Sequence, residues 1–110
     1  MKRGDIYTAA TGGGYGGKPR PVLIIQGDAY PTAKRLVALI GSPFESAMPL
    51  RVSIEPDSSN NLQWTSAVMI DVLQAVRGHH FGAYVGRLRD EDMRRVDTAL
   101  LLVLGFDVTL

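Results

Sequence analysis

The chain has no cysteine. A disulfide scaffold, a thiolate metal site and a thiol nucleophile are thereby excluded. Charge of one sign is also lacking. Twelve Lys+Arg stand against 11 Asp+Glu, a formal net charge of +1, so bulk charge is not how this protein would find a nucleic acid. Long apolar runs are missing too. The longest, Ala99 to Leu104, is far short of the ~20 residues that span a bilayer. No basic-then-apolar leader opens the chain, so a cytoplasmic location away from membranes is expected. There is no HExxH and no G-x-S-x-G, which leaves metalloprotease and hydrolase-elbow chemistry unsupported.

What is present suits one globular domain over residues 1–110, with 45% hydrophobic and 21% charged residues. The charge is uneven. Lys2, Arg3, Lys18, Arg20, Lys34 and Arg35 face only Asp5 and Asp28 in the first third, a local positive face for a polyanion or simply solvated charge.

The first part of the chain reads as strands separated by turns. Asp5 to Thr8 is a short strand, and Pro21 to Gln26 is a β-branched run expected to be central and covered on both faces. Arg35 to Ile40 is a third strand, stopped by Gly41-Ser42-Pro43. In Leu50 to Glu55, Leu50, Val52 and Ile54 alternate with Arg51, Ser53 and Glu55, a half-buried strand. Pro56 to Asn61 is a polar loop. Ser66 to Ile70 and Val72 to Val76 form one or two strands around Asp71, and Ala83 to Leu88 is the last strand. From Asp90 onward Met93, Val96, Ala99, Leu100, Val103 and Leu104 fall at helical spacing, with acids in the first turn and Gly105 as the stop. Met93, Leu100 and Leu104 are expected in core or dimer packing. Asp90 and Asp92 read as helix-capping carboxylates. The class is α+β, mainly β: a small, strongly bent antiparallel sheet or barrel with a C-terminal helix.

Candidate chemistry is sparse. Thr11 to Gly17 holds five glycines around Tyr15, but lacks the Gly-Lys-Ser/Thr ending of a P-loop and is followed by Pro19. Arg20 lies between Pro19 and Pro21, whose rings fix the local backbone and so the guanidinium, an arrangement suited to bidentate phosphate contact. His79 and His80 are adjacent, and neighbours on a strand point apart, so no metal site is assigned to them. Either could act as an acid or base, or simply sit at a tight turn. Trp64 reads as a packing residue, with part of a partner groove as the alternative.

Several stretches together resemble the MazF/PemK toxins, the mRNA interferases of type II toxin–antitoxin systems. They are Lys2-Arg3-Gly4-Asp5-Ile6-Tyr7, Gly17-Lys18-Pro19-Arg20-Pro21-Val22, Ile40-Gly41-Ser42, Val68-Met69-Ile70-Asp71 and Val85-Gly86-Arg87-Leu88. The resemblance implies a homodimer of SH3-like barrels that cleaves single-stranded RNA at short sequences with no cofactor or metal. It also implies a cognate antitoxin that covers the same surface. The substrate's own 2′-hydroxyl would be the nucleophile.

Carried over, Arg20 acts on the scissile phosphate, and Asp71 matches an acidic position used in catalysis or base contact, with a structural hydrogen-bond acceptor as the alternative. The family's Thr-Ser after the third strand is Gly41-Ser42 here, so Ser42 is the remaining hydroxyl, correctly aimed only if the turn redirects it. RNA contacts fall to Tyr15, Gly17, Lys18, Arg77, His79 and His80. Two alternatives stand beside this: a CcdB-like DNA gyrase inhibitor on the same barrel, against which the ending Phe106 to Leu110 argues, and a homologue that binds antitoxin but has lost cleavage.

Overall fold

The computed structural model describes residues 1–11, 18–43 and 50–107. Six antiparallel strands form one sheet: β1 (Asp5–Ala9), β2 (Arg20–Ile24), β3 (Lys34–Gly41), β4 (Arg51–Ile54), β5 (Ser66–Arg77) and β6 (Phe81–Arg87), in the order β4-β5-β3-β2-β1-β6. The α-helix α1 (Asp90–Val103) follows. The expected mainly-β architecture with a C-terminal helix is observed, and the bent sheet is compatible with a small barrel.

β2 is apolar on both sides because both sides are covered. Leu23 and Ile25 join Ile6, Val68, Ile70, Met93 and Val96 beneath α1. Val22 and Ile24 join Ala9, Val37, Leu39, Met69 and Val76 on the other face. Burial at that level is worth about 1.5–3 kcal/mol for each large aliphatic side chain. β4 alternates as its sequence dictates, with Val52 and Ile54 buried and Ser53 exposed.

Asp71 does not divide two strands. β5 is continuous, and the register against β3 jumps from Ala38↔Leu73 to Leu39↔Met69. Ile70, Asp71 and Val72 thus form an outsized bulge, a device that bends a strand and increases its twist. Beyond it, the β3–β5 ribbon overruns β2 and folds back over the second apolar cluster. The Gln74 amide donates to the Thr11 carbonyl at 3.2 Å. The chain then passes through one 3₁₀ turn, Gly78–His80, and starts β6 beside Ala9.

The opening motif is a structural clamp. Arg3 donates to the Ile25 carbonyl at 2.9 Å and pairs with Asp97 of α1. Asp5, 8% exposed, accepts from the Lys2 amide at 2.7 Å and pairs with Arg87 of β6 at 2.9 Å. Gly4 between them has φ +95°, which suits a residue without a Cβ.

Residues 56–61, expected only as a polar loop, join the two edges of the sheet. The loop leaves β4 and bonds to β6. The Arg87 amide donates to the Ser59 carbonyl at 2.9 Å, the Ser59 hydroxyl to the Arg87 carbonyl at 2.7 Å, and the Asn61 amide to the Val85 carbonyl at 3.0 Å. Asn60 is fully buried at the centre. Its Oδ1 accepts from the Asp57 and Leu62 amides, and its Nδ2 donates to the Glu55 carbonyl.

Met93, Val96 and Ala99 are buried and Leu100 packs partly against them, while Leu104 is 60% exposed on this single chain, outside its core. One expectation for the helix, its capping, needs correction. The N-cap is Arg89 with no side-chain cap bond, so Asp90 and Asp92 act through the helix dipole, and Asp92 also accepts from Arg95 at 3.1 Å. The stop at Gly105 is as expected: φ is +79°, and the amides of Gly105 and Phe106 donate back to the Leu102 and Leu101 carbonyls, a Schellman motif.

A Cβ at Gly86 would lie 2.5 Å from the Ser59 carbonyl oxygen and 2.6 Å from that of Asn60. Backbone cannot swing aside as a side chain can. Gly86→Ala is therefore expected to cost about 1–3 kcal/mol or more through overpacking, read as a lowered midpoint of thermal unfolding.

Candidate active site

One end of the sheet gathers the start of β2, the end of β3 and the start of β5. The register of Val22 against Leu39 carries Arg20 level with Gly41, and Gly41 pairs with Ala67. These strand ends form the floor of a cleft of about 620 Å³, a size suited to a ligand of nucleotide dimensions. Its lining includes Arg20 and Pro21 from β2, Ile40 to Pro43 from the end of β3, and Trp64 to Ser66 from the start of β5.

Arg20 and Ser42 thus meet in one cleft. Strand alternation would have turned Ser42 to the opposite face, but β3 ends at Gly41 and Ser42 belongs to the turn after it. The local backbone around Arg20 follows from Pro19 and Pro21, each with φ held near −65°.

Asp71 is not among the cleft's lining residues. It sits on the β5 bulge, where Arg51 of β4 holds it at two points, Nε to Oδ1 at 2.8 Å and Nη2 to Oδ2 at 2.9 Å. The Arg51 side chain is 11% exposed. The pair combines one charge-assisted hydrogen bond, from Nη2, with an ion-pair contact at Nε, and it ties β4 to the bulge.

None of the other expected contacts that the structure describes is in the cleft's lining. Tyr15 and Gly17 lie outside the described residues. Lys18 is exposed two residues before Arg20. Ala9 pairs with Arg20 on one side and Phe81 on the other, so the backbones of Arg20 and Phe81 stand two strand spacings apart, about 10 Å. His80 immediately precedes Phe81, and its carbonyl accepts from the Ala10 amide at 3.0 Å. The two imidazoles do not point apart as strand geometry would have them. The 3₁₀ turn brings the rings edge to face, with centroids 4.2 Å apart, and both are exposed. Arg77 ends β5, exposed and across from Lys34. Among the described residues no three His, Asp or Glu side chains converge as a metal-ligand set.

Trp64 departs most from expectation. It is 72% exposed and stands in the cleft wall rather than in a core. The signal was in the sequence. The stretch Leu62-Gln63-Trp64-Thr65 follows a polar loop and precedes the strand, outside any period-two alternation that would bury it.

A six-stranded antiparallel sheet followed by a C-terminal helix is the fold of the MazF-like toxins. The profile of the PemK-like, MazF-like toxin of type II toxin-antitoxin systems matches residues 2–104. The chain is 44% identical over 106 residues to the probable endoribonuclease MazF of Mycolicibacterium smegmatis, covering 96% of this chain and 97% of that protein. Its structure is similar to that of an endoribonuclease in complex with its cognate antitoxin from Mycobacterial species, with a TM-score of 0.83 and 25% identity over 99% of each chain. It shares its fold with the Mycobacterium tuberculosis toxin MazF-mt6, at a TM-score of 0.79 and 22% identity over 94% of this chain and 99% of that one. The chain belongs to the PemK/MazF family of toxins.

Asp71→Asn separates a structural role for the carboxylate from a chemical one. Losing the charge opposite a largely buried guanidinium is expected to cost about 1–3 kcal/mol. The expected outcome is a lower unfolding midpoint with RNA cleavage per folded molecule kept within about threefold at a permissive temperature. Cleavage lost without loss of stability would place Asp71 in the chemistry.

Proposed function

We propose that this protein is the toxin of a type II toxin–antitoxin pair and a metal-independent, sequence-specific endoribonuclease acting on single-stranded RNA, mRNA in particular. The observation that carries the reading is the convergence of Arg20 and Ser42 on one cleft at the end of the sheet. Family membership and the endoribonuclease name of the 44% identical relative support it.

The reaction assigned to the cleft needs little of the protein. The ribose 2′-oxygen attacks the neighbouring phosphorus, a P–O2′ bond forms and the P–O5′ bond breaks. The products are a 2′,3′-cyclic phosphate and a 5′-hydroxyl. The proton leaves the 2′-hydroxyl and one is delivered to the departing 5′-oxygen. Negative charge builds on the non-bridging oxygens as the phosphorane forms. The Arg20 guanidinium presents N–H donors to those oxygens, so its attraction grows toward the transition state. The Ser42 hydroxyl supplies a second hydrogen bond that positions the phosphate. Lys18, Arg77, His79 and His80 extend the polar and basic surface along which the strand would lie, and bind its phosphates in a salt-dependent way.

The whole chain, residues 1–110, acts as one toxin domain in this reading, and works as a cytoplasmic homodimer held in check by a cognate antitoxin. The structural neighbour that contains an antitoxin supports the last point. The apolar end of α1, exposed at Leu104 and Phe106, offers surface for a protein partner.

Purified protein is expected to cut single-stranded RNA at an unchanged rate in EDTA and to leave 2′,3′-cyclic phosphate ends or their opened form. Arg20→Ala should lower the rate by about 10²–10³-fold with an unchanged circular dichroism spectrum. Mapping RNA ends with both proteins tests this. A variant that cuts normally, or a reaction stopped by EDTA, overturns the assignment.

A further inference from the structure

Trp64 is the one tryptophan of the chain, and it is 72% exposed. An indole left in water adds little to the fold, and large aromatic surface held out to solvent is the composition of a binding surface. This one lies in the wall of the cleft that holds Arg20.

The segment that carries Trp64 is fixed on both sides. Upstream, the Leu62 amide donates to Oδ1 of buried Asn60 at 2.9 Å. Downstream, the Ser66 hydroxyl, itself buried, donates to the Trp64 carbonyl at 2.9 Å, and the Thr65 hydroxyl donates to Glu55 at 2.8 Å. The backbone beneath the indole is already ordered, so a ligand stacking on it need not order that segment.

We propose that Trp64 is the stacking platform for a base adjoining the phosphate at Arg20. A cation that grips phosphate and a flat π-face that takes a base, presented in one cleft, match the two chemical ends of a single nucleotide unit. The inference rests on the RNA-cleaving function proposed above and adds to it the residue that grips the base. Stacking is tolerant of base identity. Trp64 therefore supplies grip, while the choice of base falls to hydrogen bonds around it.

Because no second tryptophan contributes, emission from the unmodified protein reports on this residue alone. Titration with a mixed-sequence 2′-O-methyl oligoribonucleotide, which lacks the attacking hydroxyl, is expected to quench that emission saturably. Fluorescence anisotropy of the same oligonucleotide, labelled, should follow the same curve. In steady-state cleavage of unmodified RNA, Trp64→Ala should raise KM by roughly tenfold or more, the loss expected for one base stack, with kcat within about twofold. Trp64→Phe should keep most of the affinity.

Oligonucleotide binding seen by anisotropy with unchanged tryptophan emission overturns the inference while leaving the nuclease reading intact. So does an unchanged KM in Trp64→Ala, including the case in which that variant instead loses affinity for an antitoxin peptide. Wild-type protein that neither binds nor cuts RNA brings down both.

Discussion

The fold depends on a seam made by polar atoms. A six-stranded sheet has two edges, and here the backbone after β4 crosses to the end of β6 and bonds it at Val85 and Arg87. Asn60 makes the crossing possible. Wholly buried, it answers the amides of Asp57 and Leu62 and the carbonyl of Glu55, so burial of a polar side chain carries no unsatisfied group. Gly86 admits the approach, because any Cβ there would meet two carbonyl oxygens. The seam also carries function. Glu55 precedes it and Trp64 and Thr65 follow it, and Asn60, through the Leu62 amide, links the seam to the segment that forms the wall of the Arg20 cleft.

The cleft is built from elements of unequal rigidity. Its floor is three hydrogen-bonded strand ends, with Pro21, Ile40 and Ser66 in the lining. The backbone that carries Arg20 is held in position by the sheet itself. The hydroxyl of Ser42 comes from a turn, and that freedom from strand alternation is what lets it share the cleft with Arg20. The Asp71–Arg51 pair acts at a distance from this floor. It fastens the bulge that lets β5 serve both apolar clusters, and so the curvature that brings the start of β6 round to Ala9.

Much of this was readable in the residues. The double-sided apolar run of β2, the alternation of β4 and the helical spacing of Met93, Val96 and Ala99 each follow from burial periodicity, and all are observed. The resemblance carried by Arg3 to Tyr7 and Gly17 to Val22 led to the right family. What sequence could not show was where direction and closure come from. The partner that Asp71 finds in Arg51 was not legible, because the bulge that brings them together is a property of strand pairing, not of local sequence. His79 and His80 were expected to diverge because period two was assumed where one 3₁₀ turn intervenes. Trp64 was read as packing before its groove alternative, although no periodic pattern supported its burial. Leu104 continues the apolar face of α1 outside the core of this single chain.

β2 leaves its own alignment to its neighbours. Most strands resist slippage because a shift of one residue would put grease in water, yet here either set of side chains lands in an oily compartment. The penalty for misthreading must come from elsewhere. It comes from the end of the strand remote from Arg20, where Gly4 bonds the Ile24 carbonyl, Ile25 bonds the Leu36 carbonyl, and the Gln26 side chain accepts from the Leu36 amide. The aim of the phosphate-gripping arginine is thus governed by a peg several residues away, and an error at that peg would disarm the protein without unfolding it.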